Sequence, residues 1–156
     1  MKNKIKAMYL SFYVAAFTLA TVQQAQATLG ESVDSVESDR KAFSAFQYPT
    51  LAHNSYTVME FKSEANVVRE YISPSGVVFA IAWNGLSNPD LTTLLGTYIG
   101  EYQKALRNAT SQKGKRYIQV KTNRIIVEKW GHMRNVQGRA YIQALIPSGV
   151  SINEIK

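Results

Sequence analysis

Val77-Val78-Phe79-Ala80-Ile81-Ala82-Trp83 is apolar at every position. Successive side chains of a strand point to opposite faces, so a strand with no polar position is covered on both sides. Alternation places Val77, Phe79, Ile81 and Trp83 on one face and Val78, Ala80 and Ala82 on the other. The two alanines predict close approach by another element. This stretch is therefore the expected centre of a sheet, and the rest of the chain is read outward from it.

Upstream, Ser73-Pro74-Ser75-Gly76 has proline second and glycine fourth, which suits a type I turn closing a hairpin. Val67 to Ile72 and Tyr56 to Phe61 are rich in β-formers and read as two further strands, with Lys62 to Asn66 as the turn between them. Phe43 to Asn54 reads as a loop broken by Pro49. Before it, Ser32 is the expected N-cap of a short helix with a thin apolar stripe at Val33, Val36 and Phe43.

Downstream, Asn88-Pro89-Asp90 reads as a helix start: an N-cap amide, a proline at the first position and an acid in the first turn. Leu91, Leu94, Leu95, Tyr98, Ile99, Tyr102 and Leu106 keep to one helical face, so a long amphipathic helix is expected from Pro89 to Ala109. Gly96 and Gly100 lie on the opposite face, where they are expected either to mark a close contact or to be tolerated surface glycines. Three strands follow at Tyr117 to Val120, Ile125 to Trp130 and Val136 to Leu145, the first two joined by a tight turn at Thr122-Asn123. The predicted fold is α+β: an antiparallel sheet of about six strands, three before and three after one helix laid on one face. Pro-Ser-Gly-Val occurs at 74–77 and 147–150, and Arg-x-Tyr-Ile at 69–72 and 139–142. The two repeats are offset differently, so coincidence is the expected origin.

The first 27 residues read as a cleavable secretory signal peptide. Lys2, Lys4 and Lys6 make a basic start, Ala7 to Val22 is uncharged, and Ala25-Gln26-Ala27 is a small-x-small cleavage site ahead of Thr28. The uncharged stretch is short and rich in Ser, Thr and Tyr, whereas a spanning helix needs about 20 apolar residues. The expected organisation is signal peptide 1–27 and one globular domain 28–156, exported to the periplasm or secreted and not membrane-spanning after cleavage. Losing those three lysines from 18 basic residues against 11 acids lowers the formal charge from +7 to +4. With no cysteine in the chain, disulfides, thiolate nucleophiles and thiolate metal sites are excluded.

Val68-Arg69-Glu70-Tyr71 leading into Ser73-Pro74-Ser75-Gly76-Val77-Val78-Phe79-Ala80 carries a resemblance, as do Ala82-Trp83-Asn84-Gly85 and Pro89-Asp90-Leu91 with Leu94-Leu95-Gly96. Gly131-His132-Met133-Arg134 and Gly138-Arg139-Ala140-Tyr141 complete it. This run resembles a bacterial exported family catalogued as domain of unknown function 2844, and the resemblance covers nearly all of the expected mature chain. The loop from Lys113 to Arg116 departs from it most. The resemblance implies a bacterial, exported, single-domain protein and brings no activity, ligand or site with it.

Candidate chemistry is sparse. His132 sits in a tight connection between strands and reads either as a general base oriented by Glu128 or Glu70 or, the preferred reading, as a turn histidine that bonds the backbone or solvent, since no nucleophile motif surrounds any serine. His53 and His132 lack metal-ligand spacing, and no metal or cofactor is expected. If their strands are neighbours, Arg69 with Tyr71 and Arg139 with Tyr141 would form a cationic shelf with aromatic edges, which Arg134 extends. The bland alternative is cross-strand pairing on a solvated sheet face. Eight of the basic residues fall between Lys113 and Arg139 against a single acid, Glu128. Nucleic acid is not expected, because no binding signature accompanies these cations and export removes it from reach. An anionic envelope component or a partner protein is the expected partner. The leading expectation is a non-catalytic exported binding module. The alternatives are a small hydrolase-like enzyme using His132 with a carboxylate, and a structural or assembly subunit.

Overall fold

The computed structural model describes residues 29–32, 46–47, 51–108 and 116–156. The expected signal peptide and the expected short helix after Ser32 lie outside the described residues; Ser32 itself forms an antiparallel bridge to Val77. The six expected strands are β3 (Thr57–Lys62), β4 (Asn66–Ile72), β5 (Val78–Gly85), β6 (Tyr117–Lys121), β7 (Ile126–His132) and β8 (Asn135–Tyr141). Two more, β1 (Phe46–Gln47) and β2 (Leu51–Ala52), fall within the expected loop and pair successive stretches of β3. One antiparallel sheet results, in the order β1-β3-β4-β5-β8-β7-β6 with β2 beside β1 on the outer side of β3. The sheet thus has seven positions rather than six. Pro49 falls between β1 and β2 and has no N–H to give a ladder, so the edge is built in two pieces.

The apolar stretch is central, as its composition requires: β5 lies between β4 and β8. Its faces differ from strict alternation. Tyr71 pairs with Ala80 but Ile72 pairs with Val78, which leaves Phe79 as the extra residue of a β-bulge. Val78, Ile81 and Trp83 therefore pack on one face, and Phe79 joins Ala80 and Ala82 on the other.

The first face is covered by helix. α1 (Leu91–Leu95) and α2 (Ile99–Asn108) are joined by a 3-10 turn at Gly96–Tyr98. Asp90, not Asn88, caps the start: its carboxylate accepts from the Thr92 N–H at 2.9 Å and the Thr93 hydroxyl at 3.1 Å. Gly96 has φ 45°, a left-handed conformation that breaks the helix in two. It is a structural requirement and not a tolerated surface glycine. Leu94, Leu95 and Tyr102 are buried against Phe61, Val68, Ile81, Trp83, Val120, Ile125 and Val127. Leu29 is fully buried in the same layer, its N–H donating to the Leu94 carbonyl at 3.2 Å.

The second face is covered by the C-terminal tail. The strand expected to run to Leu145 stops at Tyr141, and Gln143–Leu145 forms a 3-10 turn. Pro147 cannot extend a ladder, and the chain folds back over the sheet. Ile155, fully buried, packs with Tyr56, Val58, Tyr71, Phe79, Ala80, Ala82, Ile126 and Tyr141. A second 3-10 turn at Ile152–Glu154 is held by a capping box, with Ser151 accepting from Asn153 and Glu154 accepting from the Ser151 N–H. Among the described residues, no helix is long and apolar enough to cross a membrane.

Candidate functional site

Register across the tail-covered face brings the candidate residues into rows. Glu60 pairs with Arg69, Arg69 with Ala82, Ala82 with Arg139, Arg139 with Glu128 and Glu128 with Gln119. One row thus runs acid, arginine, alanine, arginine, acid, amide across six strands. The parallel row places Tyr71 and Tyr141 on either side of Ala80. The two Arg-x-Tyr-Ile copies therefore flank β5 in register and face the same way. Their arginines and tyrosines stand on the tail side, and Ile72 and Ile142 stand on the helix side. Ala80 and Ala82 leave a shallow trough between these walls.

The arginines make the cross-strand pairs of the bland reading. Arg69 Nε donates to Glu60 at 2.7 Å and its Nη1 to the Asn84 side-chain carbonyl at 3.0 Å. Arg139 Nε donates to Glu128. Glu128 is only 4% exposed. Its other oxygen accepts from the Tyr117 hydroxyl at 2.6 Å and the Gln119 amide at 2.8 Å. Burial alone would raise this carboxyl, yet the donors from Tyr117, Arg139 and Gln119 hold it below the usual carboxylate range. The same bond, with burial added, pushes the Tyr117 phenol up to about 12.

The trough is occupied by the tail. Arg139 Nη1 donates to the Ile152 carbonyl at 2.7 Å and the Ile155 carbonyl at 3.3 Å. Tyr71 donates to the Lys156 carbonyl at 2.9 Å and accepts from the Lys156 N–H at 3.0 Å, and Arg69 reaches the same carbonyl at 3.3 Å. Tyr56 donates to the Glu154 carboxylate at 3.1 Å. The shelf anticipated from Arg69, Tyr71, Arg139 and Tyr141 is thus assembled, and the chain's own backbone sits on part of it.

Among the described residues, no tail hydrogen bond reaches the adjoining part of the face, whose residues are half-buried or exposed. In the next row Asn84 pairs with Gln137, Gln137 with Trp130 and Trp130 with Tyr117. Trp130 Nε1 donates to the Gln137 side-chain carbonyl at 3.1 Å, and the Arg139 guanidinium lies 5.6 Å from the indole centroid. Tyr117 is 50% exposed. Both rings spend their polar handle within the sheet, which fixes their orientation and leaves ring surface for a ligand. The sequence marked Tyr117 and Trp130 only as strand limits, and Asn84 and Gln137 were missed as site residues. Asn84 lies beyond the expected end of its strand at Trp83, and only the sheet order makes it a neighbour of Gln137.

His132, Met133 and Arg134 form the tip of the β7–β8 hairpin. All three are exposed, and Arg134 has φ 64°. His132 Nδ1 lies 3.2 Å from the Met133 carbonyl oxygen. Glu128 is four residues back along β7, about 13 Å away at the usual strand rise, and Glu70 is buried on the helix-covered face, paired in register with Met59 and Ile81. The geometry therefore does not bring His132 together with either carboxylate. His53 stacks on Tyr56 with centroids 4.6 Å apart, in a cleft of about 370 Å³ that Glu154 also lines. Arg124 divides two shallow clefts beside α2; Glu101 holds it at 2.7 Å and the Tyr98 ring underlies it at 4.6 Å. No group of three or more His, Cys, Asp or Glu placed to hold a metal occurs among the described residues.

The architecture and this face define a small α+β protein whose single antiparallel sheet is covered by a helix on one side and half-covered by its own tail on the other. The chain belongs to the family described as protein of unknown function (DUF2844), whose model matches residues 25–155. Among solved structures, a cysteine-rich secretory protein from Staphylococcus aureus is similar, with a TM-score of 0.44 and 11% identity over 75% of this chain. The match covers 45% of that chain. No curated protein matches the sequence.

Proposed function

We propose that this protein is an exported, non-catalytic binding module of the bacterial envelope, and that its working surface is the open half of the tail-bearing sheet face. The observation that carries this reading is the strip of Tyr117, Trp130, Gln137 and Asn84, which register places side by side across four strands. The strip is bordered by two arginines whose charges are already offset by Glu60 and Glu128. A rigid sheet with fixed rings loses little side-chain entropy when something docks on it. Export rests on the lysine-rich start and the Ala25-Gln26-Ala27 site.

The test is retention of the purified, processed protein on native envelope material. Trp130→Ala should abolish retention, while Lys104→Ala, on the far side of the molecule, should leave it intact. Equal retention of the two variants would remove the assignment to this face. Rising salt separates the partner classes: steep loss marks an anionic polymer, and a flat response marks a neutral or protein partner.

A further inference from the structure

We infer that the ligand of this face is a glycan, held with its sugar rings on Tyr117 and Trp130 and its hydroxyl or acetamido groups on Asn84 and Gln137. The inference rests on the binding-module reading and assigns its ligand class. A pyranose ring has an apolar C–H face and a rim of groups that both donate and accept. An aromatic ring matches the first, and a carboxamide, with two donors and an acceptor, matches the second.

Three observations favour this class over an anionic polymer or a peptide. The first is charge. Arg69 bonds Glu60 at 2.7 Å, and Arg139 bonds the buried Glu128. The two arginines that border the strip are therefore already paired, which favours an uncharged ligand beside them. An anionic chain would have to compete with two carboxylates already in place.

The second is ring presentation. The Tyr117 hydroxyl is spent on Glu128 at 2.6 Å and the Trp130 N–H on Gln137 at 3.1 Å. Neither polar handle is left over for a peptide carbonyl. Because the two residues are directly opposite on β6 and β7, their Cβ atoms stand about 5 Å apart. That sets two aromatic side chains next to each other on the sheet face.

The third is the amides. The Asn84 carbonyl accepts from Arg69, which aims its NH2 donors away from the guanidinium. The Gln137 carbonyl accepts from Trp130, and its NH2 contacts Asn135 at 3.3 Å and keeps a second N–H. Oriented donors thus lie beside the rings, along a row that runs perpendicular to the strands.

The experiment is a fluorescence titration of the purified protein with N-acetylglucosamine tetramer, with cellotetraose, dextran sulfate and a proline-rich peptide as comparison probes. Trp83 is 2% exposed, so an emission change reports Trp130. A saturable response to the tetramer is expected, absent in Trp130→Phe emission. Affinity should fall about tenfold in Tyr117→Ala, a loss of roughly 1.4 kcal/mol, and less in Gln137→Leu. Tyr117 is on an edge strand and half exposed, so its variant keeps the fold testable if Trp130→Ala does not express. Response to dextran sulfate or the proline-rich peptide alone overturns the inference. So does retention on envelope material that needs Trp130 but is not competed by either oligosaccharide; that outcome leaves the binding module standing. Failure of envelope retention in the unsubstituted protein removes the binding module itself.

Discussion

Glu128 shows how a single carboxylate organises this face. It has three side-chain partners from the two neighbouring strands, and its 4% exposure leaves little water to replace any of them. Removing one member of a buried ion pair leaves the other uncompensated. Arg139→Gln is therefore expected to cost about 3 kcal/mol in chemical denaturation. Tyr117 gives the pH signature. Its folded pKa, about 12, lies above the ordinary 10.0, so folding favours the protonated phenol. That contribution is complete below pH 10 and is lost as pH rises from 10 towards 12. Tyr117→Phe should flatten the alkaline fall of the unfolding midpoint, and an unchanged slope would show that the phenol titrates freely. Glu128 has the opposite sign: its lowered pKa contributes stability above the ordinary carboxylate range and loses it as pH falls through the folded value. The arginines, tyrosines and Glu128 were all legible as residues of interest; that two carboxylates neutralise the shelf was not, because a cross-strand partner depends on register.

The elements were the most legible scale. Hydrophobic alternation and turn residues located all six long strands and the helix, and Gly76 donates to the Ser73 carbonyl at 2.9 Å as the type I turn requires. The misses have local causes. A bulge at Phe79 puts Val78 and Phe79 on the faces opposite to those expected, and Gly96 breaks the helix. One helix glycine and one strand glycine give opposite expectations. A Cβ at Gly100 meets nothing within 4 Å, so Gly100→Ala should raise stability by up to about 1 kcal/mol. At Gly138 a Cβ would fall 2.3 Å from Trp83 Cζ2 and 2.7 Å from the Glu128 carbonyl. Gly138→Ala should therefore destabilise by about 1–3 kcal/mol, with a change in the near-ultraviolet signal of the buried indole. A neutral Gly138→Ala would mean that β8 and the indole lie further apart than described.

For the whole molecule, the decisive feature is that two short end segments complete the two layers. Leu29 plugs the helix side, and Ile155 plugs the tail side. Each is fully buried, so Leu29→Ala and Ile155→Ala should each cost about 2–5 kcal/mol. The two losses should add, because the sheet separates the sites. Thermal or denaturant unfolding of the single and double variants checks this. Strong coupling between them would contradict the two-layer arrangement. The tail also sets the boundary of the candidate face, since it takes up the Arg139 and Tyr71 donors on one half and leaves the Trp130 row uncovered.

The sequence by itself determined the class of fold: the period-two and period-3.6 patterns of apolar residues are local, and each states which side of its own element must be buried. It also determined that Arg69 and Arg139 belong to matching Arg-x-Tyr-Ile strings. Only the tertiary structure decided that these strings flank β5, that carboxylates answer them, and that the tail covers one half of the face. Those outcomes depend on strand order and register: β5 meets β8 from Gly85↔Val136 to Ala80↔Tyr141, the tail reaches back to Tyr71, and such contacts leave no periodic trace in the chain.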